Sequence, residues 1–126
     1  MEVENTFCLL KPEAYIFRKT DYIKNRISAS GLAVTENWTI KLKFYDIFKL
    51  YQDWFPRITM SLRFYPLFKT DLYVLKGTGS INRMNDLKYR IRSELGGFIT
   101  GGYVHAPDNC DEFHRSMKVL MKRRQL

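Results

Sequence analysis

The sequence predicts an α+β fold built on one antiparallel sheet. Apolar runs and alternating patterns indicate four strands, and segments with helical spacing follow the first and the third of them. No internal repeat, low-complexity tract or Pro/Gly/Ser-rich linker interrupts the chain, so residues 1–126 are expected to form a single domain. The order β-α-β-(α)-β-α-β-α is typical of the ferredoxin-like βαββαβ arrangement, a four-stranded antiparallel sheet with helices packed on one face.

The first half of the chain contains two of these strands. The apolar run TFCLLK at 6–11 is ended by a proline and predicts a buried strand. The segment 20–31 has isoleucines one turn apart and a closing glycine, which predicts a helix capped by Thr20. Residues 32–44 alternate between apolar and polar, as a strand with one buried face does. The segment DIFKLYQDWF at 46–55 predicts a short helix that the following proline ends.

The second half contains the other two strands. TDLYVLKG at 70–77 predicts the third strand and GGFITGGYVH at 96–105 the fourth. Between them, the segment 80–95 has apolar residues at spacings of three and four, which indicates an amphipathic helix capped by its first serine. A last helix is expected from Asn109, because Glu112 three residues later completes a capping box.

The composition is that of a soluble protein with a sizeable core. Hydrophobic residues make up 45% of the chain, and no apolar stretch approaches the ~20 residues needed to cross a bilayer. The acidic start MEVENTF lacks the basic and apolar segments of a secretory signal. Cys8 lies in a predicted strand, where a buried free thiol is expected, and Cys110 forms no CxxC pair with it. A reducing, cytoplasmic setting without a thiolate-bound metal is therefore expected.

The charge predicts anionic partners. The chain has 21 Lys and Arg against 13 Asp and Glu, a formal net charge of +8, which suits nucleotide phosphates, nucleic acid or acidic surfaces. Four of these cations lie close to the C-terminus: Lys118, Lys122, Arg123 and Arg124. They are interpreted as favouring the C-terminal end of a helix through its dipole, in preference to a nucleic-acid contact.

Two cationic features could hold a phosphate. Lys11 ends the first strand, where a lysine is ordinarily just a polar strand end, but a positioned ammonium can bind phosphate as a point charge. The helix at 80–95 carries four further cations, and their spacing scatters most of them into solvent. One or two of them could face a polyphosphate.

His105 is the candidate for chemistry. A single histidine after an apolar run is ordinarily a partly buried side chain with a satisfied hydrogen bond. Gly101 and Gly102 nevertheless leave open space and bare backbone beside it. A neutral imidazole can act as a nucleophile toward phosphorus or as a proton shuttle. His114 lies nine residues away without ligand spacing, so no metal site is predicted.

The segments TFCLLKPEA, from residue 6, and YVHAPD, from residue 103, match the motifs of one known family. The first resembles the opening strand and Lys-Pro-Asp-Gly motif of the nucleoside diphosphate kinases, with Glu13 and Ala14 in place of the Asp and Gly. The second is similar to that family's Asn-x-x-His-Gly-Ser-Asp signature around its catalytic histidine. The intervals from Lys11 to Gly31 and to Tyr51 equal the family intervals, and the resemblance covers nearly the whole chain.

The resemblance implies ping-pong phosphoryl transfer. In this family the histidine takes the γ-phosphate of a nucleoside triphosphate such as ATP and passes it to a nucleoside diphosphate, with Mg²⁺ bound through the nucleotide phosphates. It implies that His105 is the phosphorylated nucleophile. Lys11 and Tyr51 would flank the reacting phosphate, and Arg92, at the family's interval before the histidine, would hold phosphate oxygens.

Two roles implied by the family have more than one candidate. An aromatic residue stacks on the base, and Trp54 is the candidate here, although Phe55 is nearly as good and simple core packing would also explain either residue. A second phosphate-binding cation should lie in the helix at 80–95. Arg83, Lys88 and Arg90 remain alternatives for it.

The sequence also departs from the family pattern. Gly102 replaces the Asn of the signature, Pro107 replaces its Ser, and Ser116 lies where a Glu normally steadies the imidazole. A long family loop that contributes to the nucleotide site and to trimer contacts is missing, because RSELGGF at 92–98 joins helix and strand directly. The missing loop argues against a hexamer and leaves a smaller homo-oligomer open.

Three functions are compatible with these sequence features. A divergent nucleoside diphosphate kinase that uses His105 is the leading hypothesis. The departures favour its alternative, a catalytically inactive nucleotide-binding or protein-interaction module with the same fold. A basic nucleic-acid binder is less favoured, because the predicted strands show no paired exposed aromatic residues of the kind that stack on bases.

Overall fold

The computed structural model describes residues 3–50, 66, 68–95 and 102–125. The helices and strands of these residues are, in chain order, β1 (Val3–Leu10), α1 (Pro12–Ile16), α2 (Thr20–Ala29), β2 (Ala33–Ile40), α3 (Phe44–Leu50), β3 (Thr70–Thr78), α4 (Ser80–Leu95), β4 (Val104–His105) and α5 (Cys110–Met121). The predicted element order is confirmed. Within the described ranges, no helix is long and apolar enough to cross a membrane.

The four strands form one antiparallel sheet in the order β2-β3-β1-β4. The long central strands β1 and β3 pair over most of their length, with Phe7 opposite Val74 and Leu9 opposite Leu72. On its other edge, Leu9 pairs with His105 of the short strand β4. This is the predicted ferredoxin-like topology, and it places the end of β1 beside the candidate histidine.

Helices cover both faces of the sheet, whereas the element order alone predicted helices on one face. Alternate residues of β1 point to opposite sides. Cys8 and Leu10 pack with apolar residues of α2 and α4, and Phe7 and Leu9 pack with those of α3 and α5. The first pair of helices is the usual pair of the βαββαβ core. The second pair, α3 and α5, is an addition that encloses the face on which His105 lies.

The strand β2 differs from its sequence prediction. Its shared-parity apolar residues predicted one buried face, but Val34 is 48% exposed and residues 33–37 are all exposed. A shift in the pairing register between Val34 and Glu36 breaks the alternation, because a bulge residue moves the following side chains to the other face. Ile40 and Leu42 beyond it are buried as predicted.

The predicted helix caps are correct in one case of three. The Asn109 side chain accepts a hydrogen bond from the Glu112 N–H at 2.8 Å, as the capping-box pattern predicted. Thr20 is the first residue of α2 and makes no cap bond. Ser80 lies inside α4, whose Ile81 N–H is instead bound by the Glu4 carboxylate at 3.0 Å.

The two cysteines do not form a disulfide. Cys8 and Cys110 are free, and burial raises the pKa of the Cys8 thiol to about 12, which suits an unreactive core residue. The fourth strand was predicted at 96–105, and within the described residues 102–105 it comprises residues 104–105. Residues 96–101 lie outside the described part of the chain. Residues 46–50 of the helix predicted at 46–55 belong to α3, and residues 51–55 lie outside the description as well.

Candidate active site

Pairing of β4 with β1 places His105 next to Lys11. His105 lies opposite Leu9, so both side chains lie on the face covered by α3 and α5, and the imidazole packs 5.7 Å from the Phe7 ring. Lys11 continues the alternation of Phe7 and Leu9 in extended conformation, and its N–H donates to the Tyr103 carbonyl at 2.9 Å. Its side chain is almost completely buried. The sheet therefore directs a buried ammonium and the candidate nucleophile to the same region.

The imidazole of His105 is neutral at physiological pH. Burial, followed by the positive charges of Lys11, Lys88, Arg115 and Arg92, lowers the pKa of His105 well below its ordinary value of 6.5. Each of these effects disfavours the imidazolium form. A neutral ring retains the lone pair that an attack on phosphorus requires.

Among the three candidates for a second phosphate-binding cation on α4, Lys88 is the one whose charge acts on His105. It is 8% exposed, and its Nζ lies 3.4 Å from the Ala106 carbonyl oxygen and 3.2 Å from Asp108 Oδ1, just after β4. The other two candidates lie elsewhere, because Arg83 donates to the Ser30 carbonyl and Arg90 is exposed. Of these three residues, Lys88 is the one that lies beside the chain after His105.

Gly102 and Glu13 determine how the chain enters β4. The Gly102 φ of +117° is a conformation that other residues rarely adopt, and an added Cβ would lie 2.5 Å from Arg92 Nε. The Gly102 N–H donates to the buried Glu13 carboxylate at 3.1 Å. Glu13 therefore fixes the backbone in front of His105, and the missing side chain at Gly102 leaves room for Arg92.

The structure brings three of the five sequence-predicted site residues together: Lys11, Arg92 and His105. Tyr51 and Trp54 lie outside the described residues. Arg115 was not predicted, although the resemblance already marked its neighbour Ser116 as an imidazole-facing position. For Lys88, the sequence contained a clearer indication of burial near the site.

The signal for Lys88 is its place on the apolar stripe of α4. It lies four residues after Met84 and three before Ile91, and both of those side chains are buried in the core. A lysine at helical spacing within such a stripe must bury its stem, so its ammonium needs a polar partner at the edge of the core. That partner is the chain immediately after His105.

Ser116 does not replace the glutamate that steadies the imidazole in the family. Its side chain is fully buried on α5, but its hydroxyl oxygen makes no hydrogen bond to any residue that the structure describes. The family's carboxylate would favour a charged ring, whereas the neighbours found here favour a neutral one.

Several positive charges therefore act on a neutral imidazole, with Lys11 on the same face of the sheet and Lys88 beside the chain that follows His105. Lysine and arginine side chains can bind the equatorial oxygens of a transferring phosphoryl group and offset the charge that develops there. The two nearby carboxylates are already occupied, because Glu13 binds the Gly102 N–H and Asp108 pairs with Lys88. The arrangement is suited to a phosphorylated ligand.

Several solved nucleoside diphosphate kinases have a similar structure. The one from Aquifex aeolicus has a TM-score of 0.80 at 16% identity and covers 94% of each chain. The one from Encephalitozoon cuniculi has 0.80 at 18%, over 92% of this chain and 87% of that chain. The halophilic one from Halobacterium salinarum, solved with CDP, has 0.79 at 17%, over 94% and 87%. No family model and no curated protein matches the sequence. The chain has the fold of the nucleoside diphosphate kinases.

Proposed function

We propose that the protein is a cytoplasmic, single-domain kinase that transfers a phosphoryl group from a nucleoside triphosphate to a nucleoside diphosphate through phosphorylated His105. The observation that carries this proposal is the neutral imidazole surrounded by the charges of Lys11, Lys88, Arg115 and Arg92. A structural histidine gains nothing from four cations, since they oppose its protonation. When a histidine receives a phosphoryl group, nearby cations neutralise the two negative charges that the group brings.

The reaction has two half-steps. A ring nitrogen of His105 attacks the γ-phosphorus of the triphosphate, an N–P bond forms, and the bond between that phosphorus and the β,γ-bridging oxygen breaks to release the diphosphate. In the second half-step a terminal oxygen of another diphosphate attacks the phosphohistidine, and the N–P bond breaks. Lys11 and Arg92 hold phosphate oxygens throughout, and we assign Tyr51 to the same phosphate and Trp54 to the base.

Mg²⁺ enters with the nucleotide in this proposal. The side chains described around His105 are cationic, and the two carboxylates nearest in the fold already have partners of their own. This donor set fits an ion carried by the nucleotide phosphates, with the protein's cations on the remaining oxygens. When bound with the nucleotide, Mg²⁺ would supply positive charge that offsets the negative charge of the phosphate groups.

Phosphorylation of the protein tests the proposal. Incubation with γ-³²P-labelled ATP and Mg²⁺ should give an acid-labile, base-stable label that unlabelled nucleoside diphosphate removes. The chain has two histidines, so His105→Ala should abolish the label and His114→Ala, which changes an exposed residue of α5, should keep it. A label that survives His105→Ala, or none in the wild type, would refute the proposal.

The second candidate is a non-catalytic nucleotide-binding module. Two observations favour it: the imidazole is only 8% exposed, and the Ser116 hydroxyl makes no hydrogen bond to it. Such a protein would be stabilised against heat by ADP and Mg²⁺ without gaining label from ATP. Stabilisation that Lys11→Met removes, together with an unlabelled His105, would establish this alternative.

A further inference from the structure

A basic groove lies away from the His105 site, where the C-terminus meets the end of β2. Its volume is about 460 Å³, a size that holds a ligand of nucleotide dimensions. The described residues of its wall include Lys41, Leu42, Lys43, Tyr45, Lys122 and Arg123. Two backbone hydrogen bonds build it: the Gln125 N–H donates to the Thr39 carbonyl at 2.8 Å, and the Lys41 N–H donates to the Arg123 carbonyl at 3.3 Å. The basic tail is therefore part of the fold.

Three ammonium groups of this groove are available for a ligand. Lys41, Lys43 and Lys122 are exposed, and none forms an ion pair with a carboxylate of the residues that the structure describes. The buried carboxylate of Asp46 is already neutralised, because it binds Arg123 Nε at 2.7 Å and the Lys43 N–H at 2.9 Å. The three lysines thus concentrate positive charge without a paired carboxylate among the described residues.

The same groove presents flat side-chain surfaces beside its cations. The Arg123 guanidinium lies 5.2 Å from the centre of the Tyr45 ring and also donates to the Tyr45 hydroxyl. Next to it, the Arg124 guanidinium lies 4.7 Å from the centre of the Trp38 ring. Tyr45 is 40% exposed. An exposed ring and guanidinium planes next to ammonium groups are the combination on which unpaired bases stack while their phosphates are neutralised.

From this geometry we infer that the groove binds single-stranded nucleic acid. Lysines Lys41, Lys43 and Lys122 contact consecutive phosphates, and the Tyr45–Arg123 pair receives a base. An acidic peptide would use the lysines but not the flat surfaces. A duplex or a membrane surface is too broad to enter a concavity of this volume. The inference is independent of the chemistry proposed for His105.

Fluorescence anisotropy with a labelled 12-nucleotide DNA of mixed sequence tests this site. The groove variant Lys41→Glu/Lys43→Glu/Lys122→Glu should weaken binding at least tenfold. It should also lower the slope of log K against log salt by about 2, the value for three lost phosphate contacts. The control variant Lys19→Glu/Lys24→Glu/Lys76→Glu changes the net charge equally at exposed residues elsewhere and should weaken binding less than threefold. Tyr45→Ala should cost about tenfold.

Several results would overturn the inference. Equal losses in the two triple variants would show that total charge, rather than the groove, attracts the oligonucleotide. Competition by a poly-glutamate peptide or by duplex DNA as strong as that of the single strand would assign the groove to another class of polyanion. Displacement of the oligonucleotide by saturating ATP and Mg²⁺ would show that the oligonucleotide binds at the His105 site and not in the groove. Circular dichroism of each variant checks that the comparison is made between folded proteins.

Discussion

The guanidinium of Arg92 fills the space beside Gly102 that any other residue would use for its own side chain. A Cβ built on Gly102 would lie 2.5 Å from Arg92 Nε and 3.1 Å from one of its terminal nitrogens. Arg92 comes from the last turn of α4 and Gly102 from the approach to β4. The absence of a side chain at Gly102 thus leaves this space to the Arg92 guanidinium.

Gly102→Ala is expected to separate these two residues. The positive φ and the close contact should lower the free energy of unfolding by about 1–3 kcal/mol. Displacement of Arg92 should also raise the pKa of His105, which NMR titration of the imidazole measures. Gly31→Ala is the matched control, since Gly31 has a φ of +80° and also faces an arginine, but far from the site. Both variants should lose stability and only the first should shift the His105 pKa; an unchanged pKa in Gly102→Ala would contradict the role of Arg92.

The pH dependence of stability should reveal the neutral imidazole. The folded pKa of His105 lies below the unfolded value of 6.5, so the unfolded chain binds a proton first as the pH falls. The unfolding free energy should therefore decrease below about pH 6.5, by up to about 1.4 kcal/mol per pH unit from this residue. Urea unfolding between pH 5 and 8 measures it. His105→Gln should flatten the curve and His114→Gln should not; identical curves for all three proteins would contradict the burial of a neutral ring.

Lys88→Met should loosen the chain after β4. The substitution removes the ammonium that contacts the buried Ala106 carbonyl, so we expect a loss of about 1–3 kcal/mol of stability. It also removes a cation that opposes protonation of His105, whose pKa should rise. Arg90→Met makes the same charge change at an exposed position of the same helix. Equal shifts of the His105 pKa in Lys88→Met and Arg90→Met would show that Lys88 affects the imidazole no more than an exposed cation of the same helix does.

Ser116→Ala should leave both stability and phosphorylation nearly unchanged. The Ser116 hydroxyl is buried and makes no hydrogen bond among the described residues, so its removal should alter the unfolding free energy by less than about 0.5 kcal/mol. Thermal unfolding and the labelling rate from ATP are the two measurements. A loss of label without a loss of stability would mean that Ser116 takes over the role of the family's glutamate.

The sequence by itself determined the helices and strands and one relationship within the site. Local periodicity is set by neighbouring residues, so the patterns at 20–31, 70–77 and 80–95 predicted their elements closely. The family resemblance assigned Lys11 and His105 to the same reacting phosphate, and strand alternation places both on one face of the sheet. The sequence did not reveal the bulge in β2, because a register shift depends on the partner strand.

Only the tertiary structure decided which cations surround the histidine. Lys88, Arg83 and Arg90 were alternatives in the sequence analysis. Packing of α4 against β1 buries Lys88 and leaves Arg90 in solvent. The groove likewise joins residues 41–45 with residues 122–125, nearly the length of the chain apart. Electrostatic and packing energies depend on distance in space, and distant segments acquire such distances only when the sheet and its helices assemble.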